Sequence, residues 1–169
     1  FHNNYAEYYN RDVFYPSIGY STFLDSYKLG VPVLESDLTC AKIISWVDVD
    51  NKDPFFSFWI TYSGHQDYTI DFSNTDKYGP SCAEEYTAYL DTVKKTYPDL
   101  SEEMQVYMAK NMSLDRAIAE YISVFEQQGR DDIVIAIYGD HFAKEFTDED
   151  RRTSAFIFED EETDDTRSL

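Results

Sequence analysis

The sequence predicts an α/β fold, because two short apolar segments typical of buried strands lie on either side of an amphipathic helix. Residues 55–62 (FFSFWITY) are aromatic and β-branched, with turn-forming residues at both ends. Residues 133–138 (IVIAIY) are apolar at every position, as in a central strand covered on both faces. Between them, apolar side chains recur at helical spacing over residues 114–125. This alternation of strand, helix and strand favours the α/β class.

Other helices are predicted earlier in the chain. Residues 5–15 are dense in aromatic side chains without a clean period and predict a short helix. Residues 38–47 place apolar side chains at helical spacing and predict a second one. Residues 83–93 and 101–111 predict two more, separated by a break at Pro98, since proline disfavours helix at the residue before it. These last two helices lengthen the crossover between the predicted strands.

The last third of the chain holds the central helix and a further strand. Ser113 can cap the start of the helix over residues 114–125, and Gly129 can end it. Residues 154–158 (SAFIF) are short, apolar and aromatic, which predicts an edge strand.

Charge and composition exclude several classes of protein. The 33 acidic residues against 14 basic ones give a net charge of -19, which would repel nucleic acid and anionic membranes. No segment approaches the roughly 20 apolar residues of a membrane span, so we expect a soluble chain. Cys40 and Cys82 are too few for a disulfide framework, and whether they pair stays open. The acidic end, residues 159–169, predicts a flexible tail after a single domain over residues 1–158.

One candidate metal site follows the second strand. Asp140 and His141 come directly after the apolar segment 133–138, where the carboxyl end of a parallel strand would open into a ligand-binding crevice. A carboxylate and an imidazole are suitable ligands for Mn²⁺, Mg²⁺ or Zn²⁺. Because two ligands do not define a metal centre, an ordinary loop turn remains the alternative.

His65 follows the first strand in the same way. If the two strands are parallel, His65 and His141 meet at the same edge of the sheet. A loop histidine that is hydrogen-bonded to its neighbours is the alternative interpretation.

His2 and Arg11 are separated by a series of aromatic residues. A guanidinium can bind phosphate or sulfate through two donors, while aromatic rings flank a sugar or polyol. The alternative is a surface pair of Arg11 with Asp12 or Glu7, which would contribute little stability. The sequence has no GxSxG motif, no glycine-rich phosphate loop and no histidine beside a cysteine, so it identifies no nucleophile.

Four short segments stand in a fixed order along the chain: His2-Asn3-Asn4, Tyr9-Asn10-Arg11-Asp12, residues 60–65 (ITYSGH) and Tyr138-Gly139-Asp140-His141. Taken in this order, they resemble the extracellular catalytic domain of lipoteichoic acid synthases, which belong to the sulfatase and alkaline-phosphatase-like superfamily. The likeness runs from Phe1 to about Phe158.

The resemblance implies part of a sandwich with a mostly parallel sheet flanked by helices. It also implies an enzyme on the outer face of a bacterial membrane, in which a threonine attacks phosphatidylglycerol and passes glycerol phosphate to a cell-surface polymer. The family's threonine and a metal-binding glutamate precede the position of His2. The chain therefore resembles the carboxyl-terminal part of the domain, and we expect it to need the remainder of the domain for activity.

The resemblance implies two kinds of site residue. The expected ligands of a catalytic Mn²⁺ or Mg²⁺ are Asp140 and His141. The expected contacts to the phosphate and glycerol hydroxyls are His2, Arg11 and His65, with Tyr9 at a position where the family often has tryptophan. No catalytic nucleophile is expected within the chain.

Some features depart from the family pattern. Gln66-Asp67 stand where a small residue and proline are common, and residues 94–112 look like an insertion. A sulfatase or a phosphoethanolamine transferase would share the metal end and differ in the anion-binding residues, although the Tyr-Asn-Arg-Asp string argues against a sulfatase. A non-catalytic acidic extracellular module that binds a cell-wall polymer through aromatic side chains is the alternative from another class.

Overall fold

The computed structural model describes residues 1–65, 67–68, 72, 80–140 and 155–159. The chain divides into two compact units, Phe1–Val124 and Phe125–Leu169, and each is described by itself. The described elements are a 3₁₀ turn at Tyr8–Asn10, the helices α1 (Arg11–Ser17), α2 (Ser26–Leu29), α3 (Asp37–Val49), α4 (Pro80–Thr96) and α5 (Glu102–Gln127), and the strands β1 (Val134–Tyr138) and β2 (Ala155–Glu159).

The predicted helices before the crossover are confirmed. The short helix expected over residues 5–15 is the 3₁₀ turn and α1, and the one expected over 38–47 is α3. Ser36 caps α3, because its Oγ accepts a hydrogen bond from Thr39 N at 3.1 Å. The inner face of α3 buries Cys40 and Ile44 in the core of the first unit.

Helix α5 is continuous where the sequence predicts two helices. Ser113 was expected to cap a new helix, but it lies inside α5, and its Oγ donates to the Glu85 carboxylate of α4 at 2.8 Å. The prediction of a start at Ser113 is wrong because neither proline nor glycine interrupts residues 111–114. The predicted end is confirmed, since Gly129 follows the helix with a φ of 62°. The break between α4 and α5 surrounds Pro98, as expected.

The strand predicted over residues 55–62 is wrong for most of its length. The structure forms only a single parallel bridge there, between Ile60 and His2. Phe1 flanks the bridge: its carbonyl accepts from Ile60 N at 3.0 Å, and its amino group donates to Phe58 O at 2.6 Å. Residues 51–57 are exposed and have no strand beside them in the described part of the chain. A strand is stable only with a partner, so apolar composition alone overstated it.

In the second unit, β1 and β2 form a two-stranded antiparallel sheet with Ala136 opposite Ile157. The edge strand expected over residues 154–158 is therefore confirmed as β2. The expectation that β1 is covered on both faces is wrong, because Val134 is 66 % exposed and Tyr138 is 59 % exposed. The predicted mostly parallel sheet is not seen among the described residues, whereas the α/β class stands. Residues 160–169, most of the predicted tail, lie outside the described residues.

No helix in the described ranges is long and apolar enough to cross a membrane. Cys40 and Cys82 are free thiols and completely buried. Burial raises the pKa of the Cys82 thiol to about 12, so this side chain acts as a small apolar group in the core.

Candidate functional site

The predicted site residues fall in different parts of the chain. His2, Tyr9, Arg11 and His65 belong to the first unit, and Asp140 lies just after β1 in the second. His141 lies outside the described residues. The described residues therefore include all the predicted substrate-binding residues and Asp140, one of the two predicted metal ligands.

His2 is held by its backbone and buried. Its N–H donates to Leu24 O at 3.1 Å, and its side chain is 5 % exposed. The imidazole meets the ring of Tyr8 edge-on, with the ring centroids 6.2 Å apart. Its Nδ1 is buried without a hydrogen-bond partner among the described residues. Since buried polar atoms normally have partners, this nitrogen is suited to a ligand.

Arg11 begins α1 after two strained residues. Tyr9 has a φ of 57° and Asn10 a φ of 53°, a left-handed conformation that is uncommon for residues other than glycine. The guanidinium lies over the rings of Tyr8 and Tyr9, at 5.5 and 5.8 Å from their centroids. Its Nη1 is buried without a partner in the described part of the chain. Partial burial lowers the pKa of Arg11, but an arginine remains charged at neutral pH.

The ring of Tyr8 brings His2 and Arg11 together. The Tyr8 ring and the His2 imidazole meet in a T-shaped arrangement, and the Arg11 guanidinium lies over the face of the Tyr8 ring. Within the described ranges, Arg11 forms no ion pair with Glu7 or Asp12, which were the alternative partners. His2 Nδ1 and Arg11 Nη1 each lack a hydrogen-bond partner among the described residues, and each is a group that can bind an oxyanion oxygen. We call His2, Tyr8, Tyr9 and Arg11 the aromatic-arginine cluster.

His65 lies in a turn and is exposed. Its N–H donates to Tyr62 O at 2.9 Å, and its imidazole stacks on the Tyr62 ring with centroids 5.3 Å apart and planes 11° apart. The predicted role of His65 as a substrate contact is compatible with this exposure. The same turn also fits the alternative of a loop histidine that contacts its neighbours.

A buried carboxylate that the sequence did not identify connects the two histidine segments. Asp37 is 1 % exposed and accepts hydrogen bonds from Tyr62 N at 2.9 Å and Ser63 N at 2.7 Å. Its Oδ1 also lies 3.5 Å from Asn3 Nδ2, a weak contact. Asp37 therefore fixes the turn that leads to His65 and makes only a weak contact with the residue after His2. Aspartate in the first turn of a helix is common, so the sequence gives no sign of this role.

The candidate metal site is only partly described. Asp140 is exposed after β1, and its carboxylate is a donor that Mn²⁺ and Mg²⁺ prefer. No group of three or more histidine, cysteine or acidic side chains is placed to hold a metal ion within the described ranges. These residues thus offer one suitable oxygen ligand, without a complete metal centre.

An open groove lies apart from the aromatic-arginine cluster. It has a volume of about 510 Å³ and contains none of the predicted site residues. Its lining comes from α4 and α5 and includes Tyr89, Tyr107, Met108, Met112 and Arg116.

Comparisons with known proteins support the resemblance seen in the motifs. The family model described as Sulfatase matches residues 1–164. Lipoteichoic acid synthase of Staphylococcus aureus strain USA300 is 28 % identical over 148 residues, which covers 83 % of this chain and 20 % of that protein. The same protein of strain NCTC 8325 gives the same values. The chain thus spans about a fifth of the length of these relatives. No solved structure gives a significant match.

Proposed function

Because the chain belongs to the sulfatase family, we propose that it is part of a phosphoglycerol transferase of the lipoteichoic acid synthase type. Such an enzyme would take glycerol phosphate from phosphatidylglycerol, or a similar lipid-linked phosphodiester, and pass it to a polymer on the outer face of a bacterial membrane. The threonine nucleophile and a metal-binding glutamate would belong to the remainder of the catalytic domain. The chain alone would be inactive.

The observation that carries this proposal is the pair of unpaired buried nitrogens in the aromatic-arginine cluster. Arg11 would bind two phosphoryl oxygens, and its partial burial would strengthen this attraction relative to water. His2 Nδ1 would contact the same group, and His65 would contact a glycerol hydroxyl or protonate a leaving alkoxide. Tyr9, which is 76 % exposed, would present its ring to the glycerol carbons.

Asp140 and His141 are proposed as two ligands of a divalent cation, Mn²⁺ or Mg²⁺. When bound, the cation would neutralise negative charge on the phosphoryl oxygens. The chain would hold the Asp140 carboxylate in position for the cation, because Asp140 follows the end of β1.

Glycerol phosphate is expected to shift the imidazole NMR signals of His2 and His65. The chain has only three histidines, so their signals can be separated. The two histidines would respond because one lies in the aromatic-arginine cluster and the other follows the segment that pairs with His2 through the bridge at Ile60. Glycerol alone is the control and should leave the His2 signal in place, since it carries no anion. The measurement is a titration of ¹H–¹³C spectra.

Two outcomes would contradict the proposed function. If no imidazole signal moves with glycerol phosphate, the aromatic-arginine cluster does not bind this anion, and an extracellular binding module becomes the better interpretation. If inorganic sulfate moves the His2 signal at a much lower concentration than glycerol phosphate, a sulfatase fits better. The matching family model makes a sulfatase the second candidate.

Mn²⁺ is expected to bind this chain weakly, with selective broadening of the His141 imidazole signal. The reason is the small number of ligands: two residues give far lower affinity than a site with four or more. Asp140→Asn should reduce the broadening further, whereas the exposed Asp91→Asn should not change it. Isothermal titration calorimetry checks the affinity. Tight binding of one ion per chain would contradict a divided metal site.

A further inference from the structure

Lys110 is a charged side chain that is completely buried. It lies in the middle of α5 and is 0 % exposed. Its Nζ is surrounded by three aromatic rings, 5.7 Å from the centroid of Tyr62, 5.6 Å from Tyr68 and 5.8 Å from Tyr86. Lysine is among the residues least often buried completely, so this position needs an explanation.

The ammonium group of Lys110 donates a hydrogen bond to the backbone carbonyl of His65. It also lies 3.5 Å from the carbonyl of Asp67. The three rings and the carbonyls offset part of the cost of removing an ammonium from water. A methionine would fill a similar volume without that cost, so packing alone does not require a lysine here. A lysine adds directed polar contacts that a methionine cannot make, and the bond to the His65 carbonyl is one of them.

This bond completes the support of the turn over residues 62–65. At the start of the turn, Asp37 accepts from the N–H groups of Tyr62 and Ser63. At its end, Lys110 holds the carbonyl of His65. Tyr62 contributes twice, because its ring stacks on the His65 imidazole and also lies near the Lys110 ammonium. The buried carboxyl group of Asp37 and the buried amine of Lys110 thus fix the two ends of one turn.

We propose that Lys110 is a positioning residue that sets the orientation of the His65 imidazole toward the substrate. This inference rests on the proposed function in so far as His65 contacts the phosphoglycerol group. The connection between Lys110 and His65 itself depends only on the hydrogen bond to the His65 carbonyl and the shared Tyr62 ring.

The test is Lys110→Met, measured both with and without substrate. Without substrate, the His65 imidazole NMR signal should shift while that of His2 stays in place, and the melting temperature should be unchanged or higher. In the complete enzyme, the KM for phosphatidylglycerol should rise by at least about tenfold, because small displacements of a positioned group cost this much or more. Lys95→Met, at an exposed position of α4, is the matched control and should change neither quantity.

A double variant shows whether Lys110 acts through His65. Lys110→Met combined with His65→Ala should raise KM no more than His65→Ala alone, since the positioned group is then absent. Additive effects would overturn the proposal. An unshifted His65 signal in Lys110→Met would also overturn it, and this measurement stands even if phosphatidylglycerol is not the substrate.

Lys110→Arg is the second variant, in case Lys110→Met does not fold. It keeps a cationic donor near the His65 carbonyl, so KM should stay within about threefold of the wild-type value. A threefold change in KM corresponds to about 0.7 kcal/mol. If this variant folds and loses as much affinity as His65→Ala, a cationic donor is not the property that matters, and the proposal is wrong.

Discussion

Arg11→Ala in the complete enzyme is expected to lower phosphoglycerol transfer by about 10³-fold, because it removes a preorganised cationic donor from the phosphoryl group. The melting temperature should hardly change. Among the described residues, the Arg11 guanidinium lies over the faces of Tyr8 and Tyr9, and such contacts contribute about 0.5–1 kcal/mol when partly exposed. Turnover of a fluorescent phosphatidylglycerol and calorimetry measure the two quantities.

Two further variants of arginine make this prediction specific. Arg11→Lys keeps the charge but loses the two-pronged geometry, so its activity should lie between those of the wild type and Arg11→Ala. Arg116→Ala, at an exposed position of α5, should leave transfer unchanged. A large fall in the melting temperature of Arg11→Ala would make Arg11 a structural residue and contradict its assignment to the phosphate.

Helices α1, α3 and α4 could be predicted from local patterns, whereas α2 was not predicted and α5 was predicted as two helices. Helix α3 was predicted over residues 38–47 from apolar spacing alone, and the structure adds a cap at Ser36. Ser113 has the chemistry of a cap as well, but its hydroxyl bonds to Glu85, 28 residues away. A serine next to a helical pattern is compatible with both roles. Only the tertiary partner decides between them.

The prediction of a strand over residues 55–62 was wrong for a related reason. Its aromatic and β-branched composition is typical of strands, but pairing depends on a second segment that composition does not reveal. Phe1 and His2 supply only a short partner, through one bridge at Ile60. By contrast, β1 and β2 were each predicted as strands because both have a strong local signal, and the structure pairs them.

The candidate site was predictable where short motifs carry it and not where distant residues support it. His2 and Arg11 were identified from residue type and spacing, and the structure places both against Tyr8. Asp37 and Lys110 were missed because their partners lie 25 or more residues away in sequence. A buried charged side chain whose partners are distant in sequence has no signature in one sequence.

Asp37→Ala is expected to lower the free energy of unfolding by about 3 kcal/mol, because it leaves buried N–H donors unpaired. The donors are the backbone N–H groups of Tyr62 and Ser63, and the loss exceeds the gain from removing a buried charge. Asp37→Asn keeps one acceptor oxygen and should lose less. Asp91→Ala, at an exposed position of α4, is the control and should be close to wild type in urea unfolding.

The pH dependence of this loss separates Asp37 from other carboxylates. Burial raises the pKa of Asp37, although the hydrogen bonds from Ser63 and Tyr62 act in the opposite direction. A raised pKa in the folded state means that the folded wild type binds a proton more readily than the unfolded chain. The stability difference between wild type and Asp37→Ala should therefore be smaller above this raised pKa and grow as the pH falls through it toward about 3.9. A difference that shrinks with acid would mean that hydrogen bonding outweighs burial at Asp37, and that the turn before His65 is held mainly by the charge of this carboxylate.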